Sequence, residues 1–396
     1  MDTGTAYGRP RPTFDAALVQ VGAGTPGGEL LRRYWHPIGL ASDATAVPRV
    51  VRALGEDLVL FRDGRGRPGL VYPRCCHRGT TLYYGKVERD GIRCCYHGWL
   101  FDPEGHCLDM PCEPPEKNAS ERYRERFRQP WYPVTEYRGL VFAYMGPPDR
   151  KPVLPRYDVF EDVPADEEVV ADGSNIGLAG ETTPCNWLQT HENVMDPYHV
   201  FVLHGTHSGN QFVPVMGLLP EVTWHATARG VKSYQDRHLE DGRLFHRVTE
   251  VVMPNVRIVA NPRVSRYGPS DSVAWTLPID DTTTRIYTLY RTPRGQRVER
   301  MRWNGKTWDE LTEAEHQRWP NDYEAQVGQG AITFHSEERL AATDRGVTMF
   351  RRVLREQVDA VAAGRDPLGV IRDPLAAVVR VEAGNFVLEP NAPLPA

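Results

Sequence analysis

Six of the seven cysteines, Cys75, Cys76, Cys94, Cys95, Cys107 and Cys112, fall within 38 residues of a 396-residue chain. In a small secreted domain such crowding would staple the fold through disulfides. In a long chain whose start, Met1-Asp-Thr-Gly-Thr, lacks a charged-then-apolar leader, metal ligation is the better reading. The spacing sharpens it. Cys75-x-His77 and Cys94-x-x-His97 are separated by sixteen residues, and Gly79 and Gly98 close the two short loops. Two thiolates and two imidazoles, one of each on either loop, suit a [2Fe–2S] cluster in which the cysteines hold one iron and the histidines the other. A zinc site uses the same ligand types, but zinc fingers usually present Cys pairs and His pairs. Only Cys75 and Cys94 give the mixed spacing, so Cys76 and Cys95 read as packed or neighbouring thiols. Cys107, Cys112 and Cys185 read as small buried hydrophobes.

The length suggests two domains. A net charge of −5 gives no general attraction to nucleic acid or anionic lipid. No apolar run reaches membrane-spanning length. The expectation is a cytoplasmic protein that meets neither nucleic acid nor membrane. Residues 27–36 predict a short helix. From Val50 to Met145 the texture is short strands and turns, with a Gly- and Arg-rich turn between Leu58–Phe61 and Leu70–Tyr72, a hairpin signal at Asp90-Gly91 and a turn at Asp102-Pro-Glu-Gly105. Segment 146–155, with four prolines in ten residues, reads as a linker. Strands follow at 222–228, 244–252, 256–260, 272–277 and 285–291, with an antiparallel sheet implied by their short connections. Val347, Phe350, Leu354, Val358 and Val361 predict a long closing helix, with Thr343 as N-cap and Gly364 as stop.

Between linker and strands lies Asn186-x₅-Glu192-Asn193-x-x-Asp196-Pro-x-His199-x₄-His204. Two His and one carboxylate with open positions is how proteins hold ferrous iron for O₂ chemistry. Five residues of ideal α-helix turn by about 500°, which leaves His199 and His204 about 140° apart. One metal shared by both therefore requires a π-bulge or a break. Alone, the pair is a weak signal that reads better as two solvated or core histidines.

The segments CCHRG…CCYHGWLFDPEG and N-x₅-E-N-x-x-D-P-x-H-x₄-H together resemble the Rieske non-haem iron oxygenases. Cys76 and Cys95 depart from the commoner CPHRG…CPYHGW form. The resemblance runs from about residue 26 to 372. It implies Cys75, His77, Cys94 and His97 on the cluster and His199 and His204 on a mononuclear iron. Asp196 matches the carboxylate bridging the two centres, and Asn193 a polar residue near the iron. Asp322-x₃-Gln326-x₃-Gly330-x-Ile332 resembles the phthalate-dioxygenase-like branch, which implies Asp322 as third ligand; Glu324, Asp309 and Asp280-Asp281 are the competing carboxylates. His191 and His207 match no ligand position and read as surface or supporting residues.

The resemblance further implies an α+β fold. A helical segment over 1–36 precedes a β-rich Rieske domain at 37–150 and a catalytic helix-grip (START-like) domain at 151–396, a curved antiparallel sheet around a long helix. The implied protein is a homotrimer. Each chain would hold one cluster and one Fe²⁺, taking electrons from NAD(P)H through a separate reductase or ferredoxin. With O₂ it would hydroxylate or O-demethylate an aromatic, by expectation acidic, substrate. Ring cis-dihydroxylation is the alternative outcome, and a Rieske electron carrier without catalytic iron is the alternative of a different class.

Overall fold

The computed structural model describes residues 8–174, 181–263 and 266–390. Residues 1–7 and 391–396, included in the expected first and last domains, lie outside the described residues.

The first part of the chain is built from small antiparallel sheets. Trp35–Leu40 pairs with Leu140–Tyr144, which pairs with Val134–Tyr137. Arg49–Ala53, Glu56–Arg62 and Pro68–Val71 form a second sheet, and Lys86–Glu88, Gly91–Arg93, Leu100–Phe101 and Cys107–Asp109 a third. The third sheet is tightly folded at Gly91, where a Cβ would stand 1.9 Å from the carbonyl oxygen of Phe101. Its apolar side packs Val59, Phe61, Leu82, Ile92, Trp99 and Phe101 around the thiols of Cys75 and Cys94.

The expected helix over 27–36 is shorter, spanning Pro26–Leu31. Thr25 caps it, and the His36 imidazole takes the Leu31 carbonyl at 2.7 Å while Trp35 is already paired with Tyr144. Pairing with a distant strand thus overrides local helical spacing. The proline-rich segment 146–155 is held against the body, with Val153 N–H donating to Ile371 and Trp35 Nε1 to the Pro152 carbonyl.

The second part is one large antiparallel sheet in the order Glu167–Asp172, Thr283–Pro293, Ser272–Asp280, Val256–Ile258, Leu244–Val252, Gly230–His238, Glu221–Ala226. Gly384–Leu388 also pairs with Leu244–Val252. Gly230–His238 was not among the expected strands. Its Lys232, Ser233, Gln235, Asp236 and Arg237 put polar residues on both faces, which hides the two-residue period.

The long helix Arg345–Ala362 buries Phe350, Val353, Leu354, Val358 and Val361 in a core shared with Leu18, Leu30 and Leu31 of the N-terminal segment. Gly346 lets it approach closely, since a Cβ there would meet the Met195 carbonyl and Trp224 Nε1 at 2.2 Å. The cap is Asp344 and not Thr343, which lies inside a preceding 3₁₀ turn whose Asp344 carboxylate accepts from the Ala341 N–H. Gly364, at φ +71°, ends the helix, and its N–H and that of Arg365 return to Val361 and Ala360.

Candidate metal centres

The two Cys–His loops are near copies of one another. In the first, Cys75 N–H donates to the Thr80 carbonyl and Gly79 N–H to that of Cys75; in the second, Cys94 N–H donates to Trp99 and Gly98 N–H to Cys94. Gly79 and Gly98 both adopt positive φ, +78° and +70°, which a side chain would resist. Cys75 and Cys94 are buried, while the His77 and His97 rings lie 4.6 Å apart, centroid to centroid. His77 stacks on Trp99, and its buried Nδ1 has no hydrogen-bond partner. Paired buried thiols, paired imidazoles and an unsatisfied ring nitrogen fit a Cys₂His₂-held [2Fe–2S] cluster. Cys76 and Cys95 are exposed, and so, against expectation, is Cys112, whose Sγ lies 3.7 Å from the His97 carbonyl on the outside of the second loop. Buried Gln129, which carried no sequence signal, fixes the first loop by accepting from Cys76 N–H and donating to the Tyr72 and Arg74 carbonyls.

The second centre begins at helix Trp187–Glu192. Asn186 caps it and also donates to the Val19 and Asp281 carbonyls. After a 3₁₀ turn, Asp196 starts a new helix at Pro197, its Oδ1 accepting from Tyr198 N–H. The chain then widens into a π-helical turn over Val202–His207, the distortion a five-residue ligand spacing demands. His199, His204 and Asp322 converge, with one donor atom from each within 4.8 Å of the others. Asp322 Oδ1 stands 3.5 Å from His199 Nε2 and 3.2 Å from His204 Nε2, and the latter is buried without a hydrogen-bond partner. Two imidazole nitrogens and a carboxylate facing one point, with an unmet buried nitrogen, fit a divalent metal. Asn193 Nδ2 donates to Asp322 Oδ1 and lies 3.3 Å from His199 Nε2.

Asp322 sits at the first turn of helix Asp322–Val327, capped by Asn321. The competing carboxylates are committed elsewhere. Glu324 accepts from Asn321 N–H and Trp308 Nε1, Asp309 faces Arg300, Asp280 faces Arg52 and Asp281 accepts from Val21 N–H. Burial pushes the Asp322 carboxyl up, but His204, His199 and Arg257 outweigh it and hold it well below its ordinary value.

Supporting groups complete the site. His204 Nδ1–H donates to Gln211 Oε1 at 2.9 Å, and Gln211 Nε2 donates to the Pro320 carbonyl, two residues before Asp322. His199 Nδ1 donates to the Asp196 backbone carbonyl, while the Asp196 carboxylate stands 3.8 Å away. His191 is fully buried against Thr276 and Phe350, and His207 is exposed. Gln211 and Arg257 lacked any motif that would single them out. The centre opens on a cavity of about 1060 Å³ whose wall includes Gln235, Arg247, Thr249 and Arg257.

Residues 34–134 match the Rieske [2Fe-2S] domain. The chain is 48% identical to the phenoxybenzoate dioxygenase subunit alpha of Ectopseudomonas oleovorans, over 97% of this chain and 94% of that protein. It is 34% identical to the 5,5'-dehydrodivanillate O-demethylase oxygenase subunit of a Sphingobium species, over 90% and 82%. Among solved structures, NdmB of Pseudomonas putida CBB5 superposes with a TM-score of 0.61 at 18% identity, covering 96% of this chain and all of that one. That likeness shows the fold alone.

Proposed function

This chain belongs to the Rieske non-haem iron oxygenases, as an oxygenase α subunit, and from that premise we propose that it oxygenates an aromatic substrate by hydroxylation or O-demethylation. The observation that carries the reading is the convergence of His199, His204 and Asp322 on one point at the edge of a large cavity. A Rieske electron carrier needs neither.

Cys75, His77, Cys94 and His97 would hold the [2Fe–2S] cluster, and His199, His204 and Asp322 the iron. Bound there, the cluster supplies single electrons at a potential raised by its imidazoles, and the iron supplies O₂ activation. The chain's own groups set the conditions. Gln211 holds the proton on His204 Nδ1 and so keeps Nε2 turned to the metal position. The Asp196 carbonyl does the same for His199. Asn193 fixes the Asp322 oxygen between the two rings. The Asp196 carboxylate, a third exposed, caps its helix with Oδ1 and leaves Oδ2 to accept from outside the chain. In a homotrimer, His97 of one copy donates to Asp196 of the next, and this short route joins the centres.

The same reading divides the chain into a helical segment at 1–36, a cluster domain at 37–150 and a catalytic domain at 151–396, and places the protein in the cytoplasm. Among the described residues no helix is long and apolar enough to cross a membrane. Cis-dihydroxylation is the second reading, supported by the dioxygenase name of the 48% identical relative. Reductase-coupled O₂ uptake and product mass, with a panel of aromatic acids and aryl methyl ethers, test both. One added oxygen, or formaldehyde release, supports the first; two oxygens from one O₂ support the second; no uptake with any compound contradicts both.

A further inference from the structure

One wall of the cavity is a single face of the large sheet. Alternate residues lie on it, paired as Ser233 with Thr249, Gln235 with Arg247, Val251 with Arg257 and Arg257 with Ala274. Two guanidinium groups, of Arg247 and Arg257, therefore line the same space. Of the cavity's other arginines, Arg266, Arg291, Arg297 and Arg300 are each paired with a carboxylate, whereas among the described residues Arg247 and Arg257, like Arg263 and Arg302 at its edge, are not. Arg247 is nearly sealed in the wall, donating to Asn385 Oδ1 and the Ala260 carbonyl. Arg257 makes no side-chain hydrogen bond among the described residues.

A cation in so enclosed a place is costly without a counter-charge. The acids of the cavity do not provide one. Asp271 is taken by Arg266 at 3.0 Å, Asp322 faces His199 and His204, and among the described residues neither Asp196 nor Glu299, which also line the cavity, is ion-paired with Arg247 or Arg257. A divalent metal at that centre more than cancels the Asp322 charge, leaving the space positive. Arg257 and Asp322 both line this cavity, so a group bound to Arg257 shares the space onto which the centre opens. Arg247 stands four residues, about 13 Å, along its strand from Val251, the cross-strand neighbour of Arg257.

We propose that Arg257 is a specificity residue that anchors a carboxylate on the aromatic substrate, with Arg247 adding to the positive wall behind it. The planar guanidinium fork matches a carboxylate in two parallel hydrogen bonds. This rests on the cavity being the oxygenase active site and names the substrate class it takes. Anchored there, the ring is presented to His199, His204 and Asp322 by a bond remote from the reacting carbon.

The test is binding to the iron-loaded protein under argon and without reductase, using 3-phenoxybenzoate and its uncharged primary amide in calorimetric titrations. A charged hydrogen-bonded pair should favour the acid by about 10- to 100-fold. Arg257→Gln should erase that preference by weakening the acid while leaving the amide within about twofold. Should Arg257→Gln not fold, Arg257→Lys, which keeps the charge and loses the fork, should retain only part of the preference. Equal binding of acid and amide by the wild type, binding of neither, or an undiminished preference in either variant overturns the proposal. An Arg257 that serves only Asp322 gives the equal-binding result. Failure of the oxygenase reading shows differently, as an acid preference with no O₂-dependent product from any substrate.

Discussion

Replacing Gln211 by Leu isolates what a residue without a sequence motif contributes to the metal centre. The His204 side chain is 1% exposed, and its Nδ1–H has one acceptor, Gln211 Oε1 at 2.9 Å. Removing that acceptor leaves a buried N–H unpaired, a loss of about 1–3 kcal/mol. It also frees the proton to move to Nε2, the nitrogen that faces Asp322. Loss of such an outer hydrogen bond typically weakens metal binding by about 10- to 100-fold, or roughly 1.4–2.7 kcal/mol, in line with the first figure. The bond from Gln211 to the Pro320 carbonyl is lost too, which loosens the approach to Asp322. Chelator competition for the mononuclear iron measures the effect, with the cluster absorbance as internal control. Gln211→Glu, which keeps an acceptor, should recover most of the affinity. An affinity of Gln211→Leu within about twofold of wild type would refute the reasoning.

Cys94→Ser and His97→Ala should abolish the cluster's visible absorption and EPR signal, whereas exposed Cys76→Ser and Cys95→Ser should leave them largely intact; loss of the spectrum with Cys76 would reassign the ligands. Asp196→Asn should retain both metals and normal cluster reduction but lose product in a single turnover; wild-type single-turnover rates would remove the bridging role. Glu192 shares the Arg351 guanidinium with Glu338, and its burial raises its carboxyl from 4.5 to about 7. An acid raised on folding favours the folded state below its unfolded pKa and loses that advantage as pH rises to the folded value. Stability should therefore fall as pH rises from 4.5 towards 7 through this group. Glu192→Gln should flatten that slope in thermal melts, and an unchanged slope would reject the assignment.

Much of the site was legible because metal ligation imposes spacing. The mixed Cys/His loops need glycine at fixed positions, and a five-residue His pair needs a widened helix, which Val202–His207 provides. Asp322 was legible only through family resemblance, since an acid at a helix start is ordinarily a cap. Gln211 and Gln129 were not legible, because a neutral amide that orients a ligand has no periodicity and no required spacing. Gly230–His238 was missed for a related reason. Ser233, Gln235 and Arg237 lie on the same sheet face as the cavity wall, so function replaces the apolar half of the pattern. The end of the first helix was set by the distant pairing of Trp35 with Tyr144, which no local window contains.

Iron counting on purified protein, paired with the cluster spectrum, tests the account most directly. A Rieske cluster plus one mononuclear site gives about three irons per chain. Asp322→Ala should drop the count to about two while the cluster spectrum stays unchanged and O₂-dependent product disappears. A wild-type count of about two, or an Asp322→Ala protein that keeps its third iron and its turnover, would contradict the central claim that His199, His204 and Asp322 hold a catalytic iron.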